Sequence, residues 1–480
     1  MPDLWIERGP LLLVLQVALA ALASAHAALH KRDVRAAIGW IGLLWLVPFA
    51  GTLLYGLFGI NRVRRRASIL RARRPRGRAA ENDVAPCAAL AHALAPSHHH
   101  LLSVALLCDR LTARPLTAGN AIEPLAGGER AYAAMLEAIE SARTSVGLLT
   151  YIFDDDDWGR RFVDALADAR ERGVAVRVLI DGIGARYSLA SVAGMLRDRG
   201  VTTAEFLPTL LPRSFVFSNL RNHRKILIAD GRVGFTGGMN IRDGHCLSAG
   251  KGAIADVHFR LRGPVVTQLA ETFADDWAFA SGERLTPDLW CPDVWPVGEV
   301  FARAIAAGPD EALERIRWAI LGALAQAKDR IRILTPYFLP DNTLLTALQL
   351  AALRGVVVDI VIPAHGNLRL VDWAARAKLG HLLACGCSLW LTPPPFDHAK
   401  VMTVDGQWSL IGSANWDPRS LRLNFELDVE CYDAGLGRVL DALVEERTLR
   451  ARRMTYAAFK RRGLAVKLRD SAAWLLSPYL

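Results

Sequence analysis

Two separate stretches of the sequence carry the same ordered set of chemically active side chains. Both fit His-x-Lys-x4-Asp-x6-Gly-(Gly or Ser)-x-Asn. Because alternate residues of a strand share a face, the histidine and lysine of each copy project together. One copy alone is weak evidence, whereas two copies at matching places in a repeat predict a single site built from both. The copies are His223, Lys225, Asp230, Gly238 and Asn240, and His398, Lys400, Asp405, Ser413 and Asn415.

The duplicated motif resembles the signature of the phospholipase D superfamily. The resemblance implies that both copies converge on one phosphodiester. One histidine then forms a phosphohistidine, and the other transfers protons to and from the alcohols. Lys225 and Lys400 would face the non-bridging oxygens, to which Asn240 and Asn415 would donate further hydrogen bonds. Since two lysines supply the positive charge, neither a metal nor another cofactor is expected.

The resemblance also implies distinct roles for the two histidines and for two acids. His223 is expected to carry the intermediate, and His398 to act first as an acid and then as a base. Asp256 and Glu426 lie as far past the motif histidines as the family's ring-orienting acids do. Glu426 is the acid expected to raise the pKa of His398. The alternative is that both acids are ordinary strand-end residues.

Several stretches are similar to one branch of this superfamily, the bacterial cardiolipin synthases. They are LLYGLFGINR, YIFDDDDWGRRF, LTPYFLPD, GSANWDPRSLRLNFELDVECYD and the terminal LSPYL. The implied reaction transfers a phosphatidyl group from one phosphatidylglycerol to another, giving cardiolipin and glycerol. Gly238 and Ser413 are both expected to bind substrate. Gly238 is a departure, because many superfamily motifs have serine there.

Other functions would use the same motifs. A phospholipase D would transfer the phosphatidyl group to water, and phosphatidylethanolamine is an alternative donor. A nuclease or phosphodiesterase would not need two apolar spans beside an arginine belt, so no nucleic acid partner is expected. A non-enzymatic scaffold would not keep two complete motifs. The oligomeric state is left open by the sequence.

The elements that position these residues alternate between helix and strand patterns from residue 129 onward. SVGLLTYIF and VAVRVLID correspond to IRILTPYF and VVVDIVIP, so the pattern occurs twice. The predicted fold is α/β, with two similar phospholipase D-type halves, pseudo-twofold symmetry and the site at their junction. Asp230 and Asp405 are expected to brace the loops beneath that site. The predicted regions are 1–66 (transmembrane hairpin), 67–128 (linker and entry), 129–295 (first half), 296–442 (second half) and 443–480 (basic amphipathic segment).

The N-terminal region has two uncharged runs, 10–29 and 36–60, each long enough to cross a bilayer. A cleaved signal peptide is the alternative, but the first run lacks a basic start. Nine arginines and no acid lie between 62 and 78. Their position predicts a multi-pass protein of the bacterial inner (cell) membrane with its body on the cytoplasmic face. The formal net charge of +10 suits anionic phospholipids.

Three further features bear on compartment and surface. The seven scattered cysteines indicate a reducing compartment without a disulfide framework, and the close pair Cys385 and Cys387 is interpreted as structural. The run His98 to His100 is predicted to be a solvated loop rather than a metal site. Residues 443–480 mix basic and aromatic side chains, which favours an interfacial membrane segment.

Overall fold

A single mixed β-sheet forms the body of the molecule. The computed structural model describes residues 3–31, 34–59, 85–184, 192–208, 220–308 and 314–477. Within these ranges, fifteen strands join in the order β17-β12-β11-β10-β14-β15-β16-β9-β1-β8-β6-β5-β2-β3-β4. The sheet strands are β1 (Thr117–Ala126), β2 (Ser145–Thr150), β3 (Ala175–Asp181), β4 (Thr202–Phe206), β5 (Ile226–Ala229), β6 (Val233–Gly237), β8 (Val257–Arg262), β9 (Val300–Ala307), β10 (Arg330–Leu334), β11 (Val357–Pro363), β12 (Ser388–Thr392), β14 (Val401–Val404), β15 (Trp408–Gly412), β16 (Glu426–Tyr432) and β17 (Arg452–Met454).

The strand order shows the predicted internal repeat. The central pair of the sheet is β1 and β9, which are antiparallel. From this pair outward, each half continues with one strand (β8 or β16), an antiparallel hairpin (β6 and β5, or β15 and β14) and three parallel strands (β2, β3 and β4, or β10, β11 and β12). Thr117 of β1 faces Ala302 of β9, so the two halves share one continuous sheet. The predicted α/β fold with two similar halves is confirmed. β1 lies inside region 67–128, so that region supplies a central strand as well as a linker.

Helices cover both faces of the sheet. They include α4 (Ala85–Ala93), α5 (Leu102–Leu111), α6 (Gly128–Ser141), α7 (Asp157–Glu171), α8 (Val192–Asp198), α9 (Val265–Ser281), α10 (Pro287–Trp290), α11 (Arg315–Gln326), α12 (Asn342–Leu353), α13 (Arg369–Arg376), α14 (Leu379–Ala384), α15 (Pro418–Arg422), α16 (Ala434–Arg450), α17 (Tyr456–Lys460) and α18 (Leu464–Leu475). Short polar side chains begin several of them: Asp156 accepts from the Gly159 amide, and Asp341 from the Leu344 amide.

The hydrophobic cores follow the repeat. One core packs α6, α7 and α8 on the first half, and a second packs α5, α11 and α12 on the second half. On the opposite face, α9 and α16 share a single core that draws residues from both halves, including Phe273, Leu427 and Leu440. Because this core spans the junction, the two halves are held as one body.

The N-terminal region contains helix α1 (Asp3–His30), in which residues 10–30 are long and apolar enough to cross a membrane. The second predicted run is broken into α2 (Val34–Leu46), α3 (Ala50–Leu54) and a π-helical turn, Tyr55–Gly59. Pro48 explains the break, because it lacks an amide hydrogen and clashes with the preceding turn. Ala20 and Ala27 of α1 pack with Leu44 and Tyr55. The arginine cluster at 62–78 lies outside the described residues.

Candidate active site

The two motif histidines lie at the junction, each beside a segment of the other half. The His223 amide donates to the Phe425 carbonyl at 2.9 Å, immediately before β16 of the second half. The His398 amide donates to the Ala255 carbonyl at 2.6 Å, in a short parallel pair formed by β7 (Ile254–Ala255) and β13 (Phe396–Asp397). These two crossings are equivalent under the repeat. They bring both copies of the motif to one place.

Each histidine is bound by a carboxylate that belongs to the opposite half. His223 Nδ1 lies 3.1 Å from Glu426 Oε2, and His398 Nδ1 lies 2.9 Å from Asp256 Oδ2. Both acids are fully buried. Each of these two acids thus contacts a motif histidine, but Glu426 lies on His223 and not on His398, to which the sequence prediction had assigned it. Since β16 begins right after the bridge between Asn222 and Phe425, its first side chain reaches His223.

The pKa values of both histidines are lowered. Burial lowers the pKa of His398 well below its usual value, and Lys400, Lys225 and His223 lower it further. Burial also lowers the pKa of His223, but there the Glu426 carboxylate opposes the effect. The expected rise in the pKa of His398 is therefore wrong. Because a carboxylate holds each Nδ1–H, Nε2 is the nitrogen without a proton in the neutral rings.

The motif lysines are buried close to both histidines. Lys225 Nζ donates to the His223 carbonyl at 2.7 Å, and Lys400 Nζ donates to the His398 carbonyl. Burial lowers the pKa of Lys225 to about 7 and that of Lys400 to about 8, although Glu426 and Asp256 counteract it. Two cations this poorly hydrated favour an anion between them. Among the described residues, no group of three or more His, Cys, Asp or Glu side chains is placed to hold a metal ion.

The motif aspartates brace the sheet edge, as predicted. Asp230 Oδ1 accepts the backbone amides of Thr144 and Ser145 at 2.7 and 3.1 Å, which ties the turn after β5 to the start of β2. Asp405 makes the same bonds to the amides of Asp329 and Arg330, both at 2.8 Å. Both aspartates have a φ of 53°, a strained value for a residue with a side chain.

The histidine run contributes to the second of these braces. Pro96–Leu101 forms a 3₁₀ helix, so the prediction of a solvated loop at His98 to His100 is wrong. His100 Nε2 contacts Asp405 Oδ2 at 2.8 Å, and its imidazole is largely buried. In the first half, the Thr144 hydroxyl donates to Asp230 instead. The segment before β1 therefore contributes His100 to the contacts of Asp405 in the second half.

The remaining motif positions differ between the halves. Ser413 Oγ donates to Glu426 Oε2 at 2.6 Å. At Gly238, a Cβ atom would lie 2.4 Å from Asp256 Oδ1, so only glycine leaves room for this carboxylate. The first half thus combines glycine with the shorter acid, and the second combines serine with the longer acid.

The motif asparagines make protein contacts through one side of their amides. Asn240 Oδ1 accepts the Ile152 amide at 3.1 Å, and Asn415 Nδ2 donates to Ser420 Oγ at 3.2 Å. An amide nitrogen carries two hydrogens, so these contacts are compatible with the predicted donation to substrate. That donation stays a prediction.

His245 is a site residue that the sequence reasoning missed. The Asn240 amide donates to its Nε2 at 3.2 Å, so its own proton is on Nδ1, which faces Asp256 Oδ2 at 3.7 Å. Its ring centroid lies 6.0 Å from that of His398, and burial lowers its pKa to about 3. The matching position in the second half is Ser420, so the repeat gave no signal for it.

Two tyrosines flank the histidines. The Tyr151 ring meets His223 edge-on at 5.2 Å, and the Tyr337 ring meets His398 at 6.3 Å. Tyr151 directly follows β2, whereas Tyr337 lies three residues past the end of β10, so the two rings come from different positions of the repeat. Together, the buried cations, the paired histidines and these rings form a site suited to an anionic, partly apolar ligand.

Comparison with known proteins places these features in a family. A family model described as "Cardiolipin synthase, PLD-like domain" matches residues 135–277 and 320–447. A second, described as "Phospholipase_D-nuclease N-terminal", matches residues 18–59. The major cardiolipin synthase ClsA of Bacillus subtilis is 32% identical over 94% of this chain and 95% of its own length. Cardiolipin synthase A of Klebsiella pneumoniae is 31% identical over 94% of each.

A solved structure supports the fold. Phosphatidylserine synthase from Haemophilus influenzae superposes with a TM-score of 0.61 at 16% identity, covering 78% of this chain and 100% of that one. At this identity the likeness concerns the arrangement of the two halves and not the substrate.

Proposed function

We propose a complete transfer cycle for this chain, which belongs to the cardiolipin synthases of the phospholipase D superfamily. It is a phosphatidyltransferase that acts on phospholipids and makes cardiolipin. We propose that donor and acceptor are both phosphatidylglycerol and that glycerol is the second product. The observation that carries the cycle is the crossed pairing of His223 with Glu426 and of His398 with Asp256. Each half thereby supplies the carboxylate that binds the histidine of the other half, so one phosphodiester can contact both rings.

The different surroundings of the two histidines support a division of roles between them. Burial, Lys400 and Lys225 lower the pKa of His398, and His223 lowers it further, so His398 is suited to be neutral. The Glu426 carboxylate, 3.1 Å from His223 Nδ1, opposes the lowering of the pKa of His223 and so favours a proton on that ring. We assign His398 as the neutral nucleophile and His223 as the acid. This reverses the roles expected from the sequence, because the acid expected to serve His398 binds His223.

In the first step, Nε2 of His398 attacks the phosphorus of the donor. The phosphorus–oxygen bond to the glycerol headgroup breaks, and the proton of His223 passes to the departing oxygen. Glycerol leaves, and a phosphatidyl group remains on His398. Lys225 and Lys400 hold the non-bridging oxygens, whose negative charge restores the protonated form of these partly neutral amines.

In the second step, neutral His223 takes the proton of the terminal hydroxyl of a second phosphatidylglycerol. That oxygen attacks phosphorus, the phosphorus–nitrogen bond breaks, and cardiolipin is released. The buried Asp256 keeps Nδ1–H of His398 in place in both steps, so the same nitrogen attacks and later leaves. Water that attacked instead would give phosphatidic acid, the product of the phospholipase alternative.

The membrane anchor supports delivery of both lipids from the bilayer. Helix α1 supplies one crossing of suitable length. We propose that α2, α3 and the π-helical turn form a second crossing, so that the chain is multi-pass. The arginines that follow this second crossing favour a catalytic body on the cytoplasmic face of a bacterial inner membrane.

The test is to reconstitute the full chain with labelled phosphatidylglycerol and to separate cardiolipin, glycerol and phosphatidic acid. Cardiolipin and glycerol should appear in equal amounts. The roles are tested with an activated p-nitrophenyl donor, whose leaving group needs no proton. His223→Ala should still release p-nitrophenol in a burst and carry label on the His398 peptide, whereas His398→Ala should not. Label on the His223 peptide would overturn the role assignment and leave the reaction class intact.

A further inference from the structure

Helix α18 turns its apolar side outward. Leu464, Leu468 and Leu475 are 72%, 63% and 69% exposed and, at spacings of four and seven residues, lie on one side of the helix. Asp470 and Ala473 are buried on the other side. A surface helix normally does the opposite and buries its apolar stripe. Leu464, Leu468 and Leu475 are called the leucine face below.

The helix is held in this orientation by specific contacts on its inner side. Asp470 accepts from Arg462 and from Arg469, both at 2.7 Å. The ring of Trp474 lies 3.8 Å from the ammonium group of Lys378. Asp470 is buried with two arginine partners, which fixes the helix with its leucines outward. Three leucines exposed on one side of a helix are costly in water and indicate an interaction surface.

The surroundings of the leucine face are strongly basic. Residues 448–477 contain one acid, the buried Asp470. The basic residues of this stretch are Arg450, Arg452, Arg453, Lys460, Arg461, Arg462, Lys467 and Arg469. Exposed leucines among cations match a bilayer surface that contains anionic phospholipids, because acyl chains accept the leucines and headgroups accept the charges.

The helix that carries the leucine face lies near a cavity on the His398 side of the site. Helix α18 packs along α13, and the loop before α13 carries Asn367 and the half-exposed Leu368. This loop helps to line a cavity of about 360 Å³ that also contains Phe396. The Tyr337 hydroxyl donates to Asn367 Oδ1 at 2.6 Å, and the rings of Tyr337 and Phe396 lie 6.3 and 6.1 Å from that of His398.

We propose that the leucine face docks on the surface of an anionic phospholipid bilayer and so holds the His398 side of the active site against the lipid it draws from. The inference rests on the proposed function, because the docking matters only if the substrates are bilayer lipids. It differs from the sequence expectation in the residues involved. The interfacial side chains are leucines, whereas Phe459 packs against Arg462 at 3.7 Å and Trp474 against Lys378.

The experiment compares two forms of substrate with one variant of the full chain, Leu464→Glu/Leu468→Glu/Leu475→Glu. On bilayers of phosphatidylglycerol and phosphatidylcholine, the variant should lose at least about tenfold in rate, since three leucines no longer insert and three acids meet anionic headgroups. On monomeric short-chain phosphatidylglycerol, the rate should change by less than about twofold, because the site itself is intact. Hydrogen exchange of α18 should slow on anionic bilayers in the wild type only.

A matched control is Leu350→Glu/Leu353→Glu on α12, whose leucines are also exposed, at 55% and 69%, but lie outside this basic stretch. It should leave both rates near the wild-type values. Equal loss with both substrates, or no loss with either, would overturn the docking proposal. So would a wild-type dimer in detergent that the triple variant dissociates, since a second copy would then be the partner. A wild type that makes no cardiolipin from either substrate would instead refute the proposed function.

Discussion

At the scale of single residues, the two halves perform the same task with different chemistry. The Asp256 carboxylate reaches His398 because Gly238 leaves its space empty, whereas Glu426 reaches His223 and is fixed by the Ser413 hydroxyl. The sequence contained all of these residues, and it identified both acids. It did not indicate which acid serves which histidine, because that depends on strands crossing the junction and not on spacing along the chain.

The glycine at 238 is predicted to be required for the short acid. In Gly238→Ser, the new Cβ would lie 2.4 Å from Asp256 Oδ1, so the carboxylate must leave its position on His398. Activity should fall by about 10- to 100-fold, as for other groups that orient a reactive side chain. Adding Asp256→Glu reproduces the serine–glutamate pair of the second half and should recover part of the rate. Steady-state cardiolipin formation measures both variants, and a double variant no better than the single one contradicts this explanation.

The depressed pKa values of the lysines predict the alkaline limit of activity. Each lysine loses its charge as the pH rises through its pKa, which is about 7 for Lys225 and about 8 for Lys400 in the free enzyme. With the activated donor, kcat/KM should therefore decline from about pH 7 upward. In Lys225→Arg, whose guanidinium stays charged, the decline should begin near the pKa of Lys400 instead, at a rate lower overall by about tenfold. An unchanged midpoint, judged against the exposed control Lys467→Arg, would exclude Lys225 as the titrating group.

At the scale of elements, the sequence predicted strands and helices well where the pattern repeats. VAVRVLID and VVVDIVIP became β3 and β11, and both motif aspartates brace the strands beside them. Irregular structure that the pattern did not indicate occurs where an element has no counterpart in the other half. The second apolar run is interrupted at Pro48, and the histidine run forms a 3₁₀ helix from which His100 meets Asp405 across a long sequence separation. Such contacts leave no periodic signal.

The Asp405 brace is predicted to stabilise the second half in a pH-dependent way. Burial alone would raise the pKa of Asp405, but hydrogen bonds from the amides of Arg330, Lys328 and Asp329 lower it overall. A carboxylate with a lowered pKa contributes stability that is present above its unfolded pKa of about 4 and is lost as the pH falls through the folded value. Asp405→Asn should lower the apparent midpoint of thermal unfolding by about 2–4 °C at pH 7, and by less near pH 3. Thermal scans of the full chain in detergent, with His100→Ala alongside, measure this difference.

At the scale of the whole molecule, one continuous sheet holds both halves of the active site within a single chain. The central pair β1 and β9 joins the halves, and the core beneath them is shared. Each histidine is therefore completed by the other half of its own chain, as the pairs of His223 with Glu426 and His398 with Asp256 show. The duplicated motif predicted this convergence. The shared core and the crossed acids supply its physical basis.

This arrangement predicts that two inactive chains cannot rescue each other. A His223→Ala chain still lacks the proton donor, and a His398→Ala chain still lacks the nucleophile, even when both occupy the same membrane. Co-reconstituted in equal amounts, they should form cardiolipin at less than about 1% of the wild-type rate, because removing either member of a catalytic pair costs several orders of magnitude. Each variant mixed with wild type serves as the control and should retain the wild-type share of activity. Recovery to about a quarter of the wild-type rate would mean that a site can form from the halves of two chains. In that case the shared core would have to open so that strands exchange between molecules, and the enzyme would function as a swapped dimer.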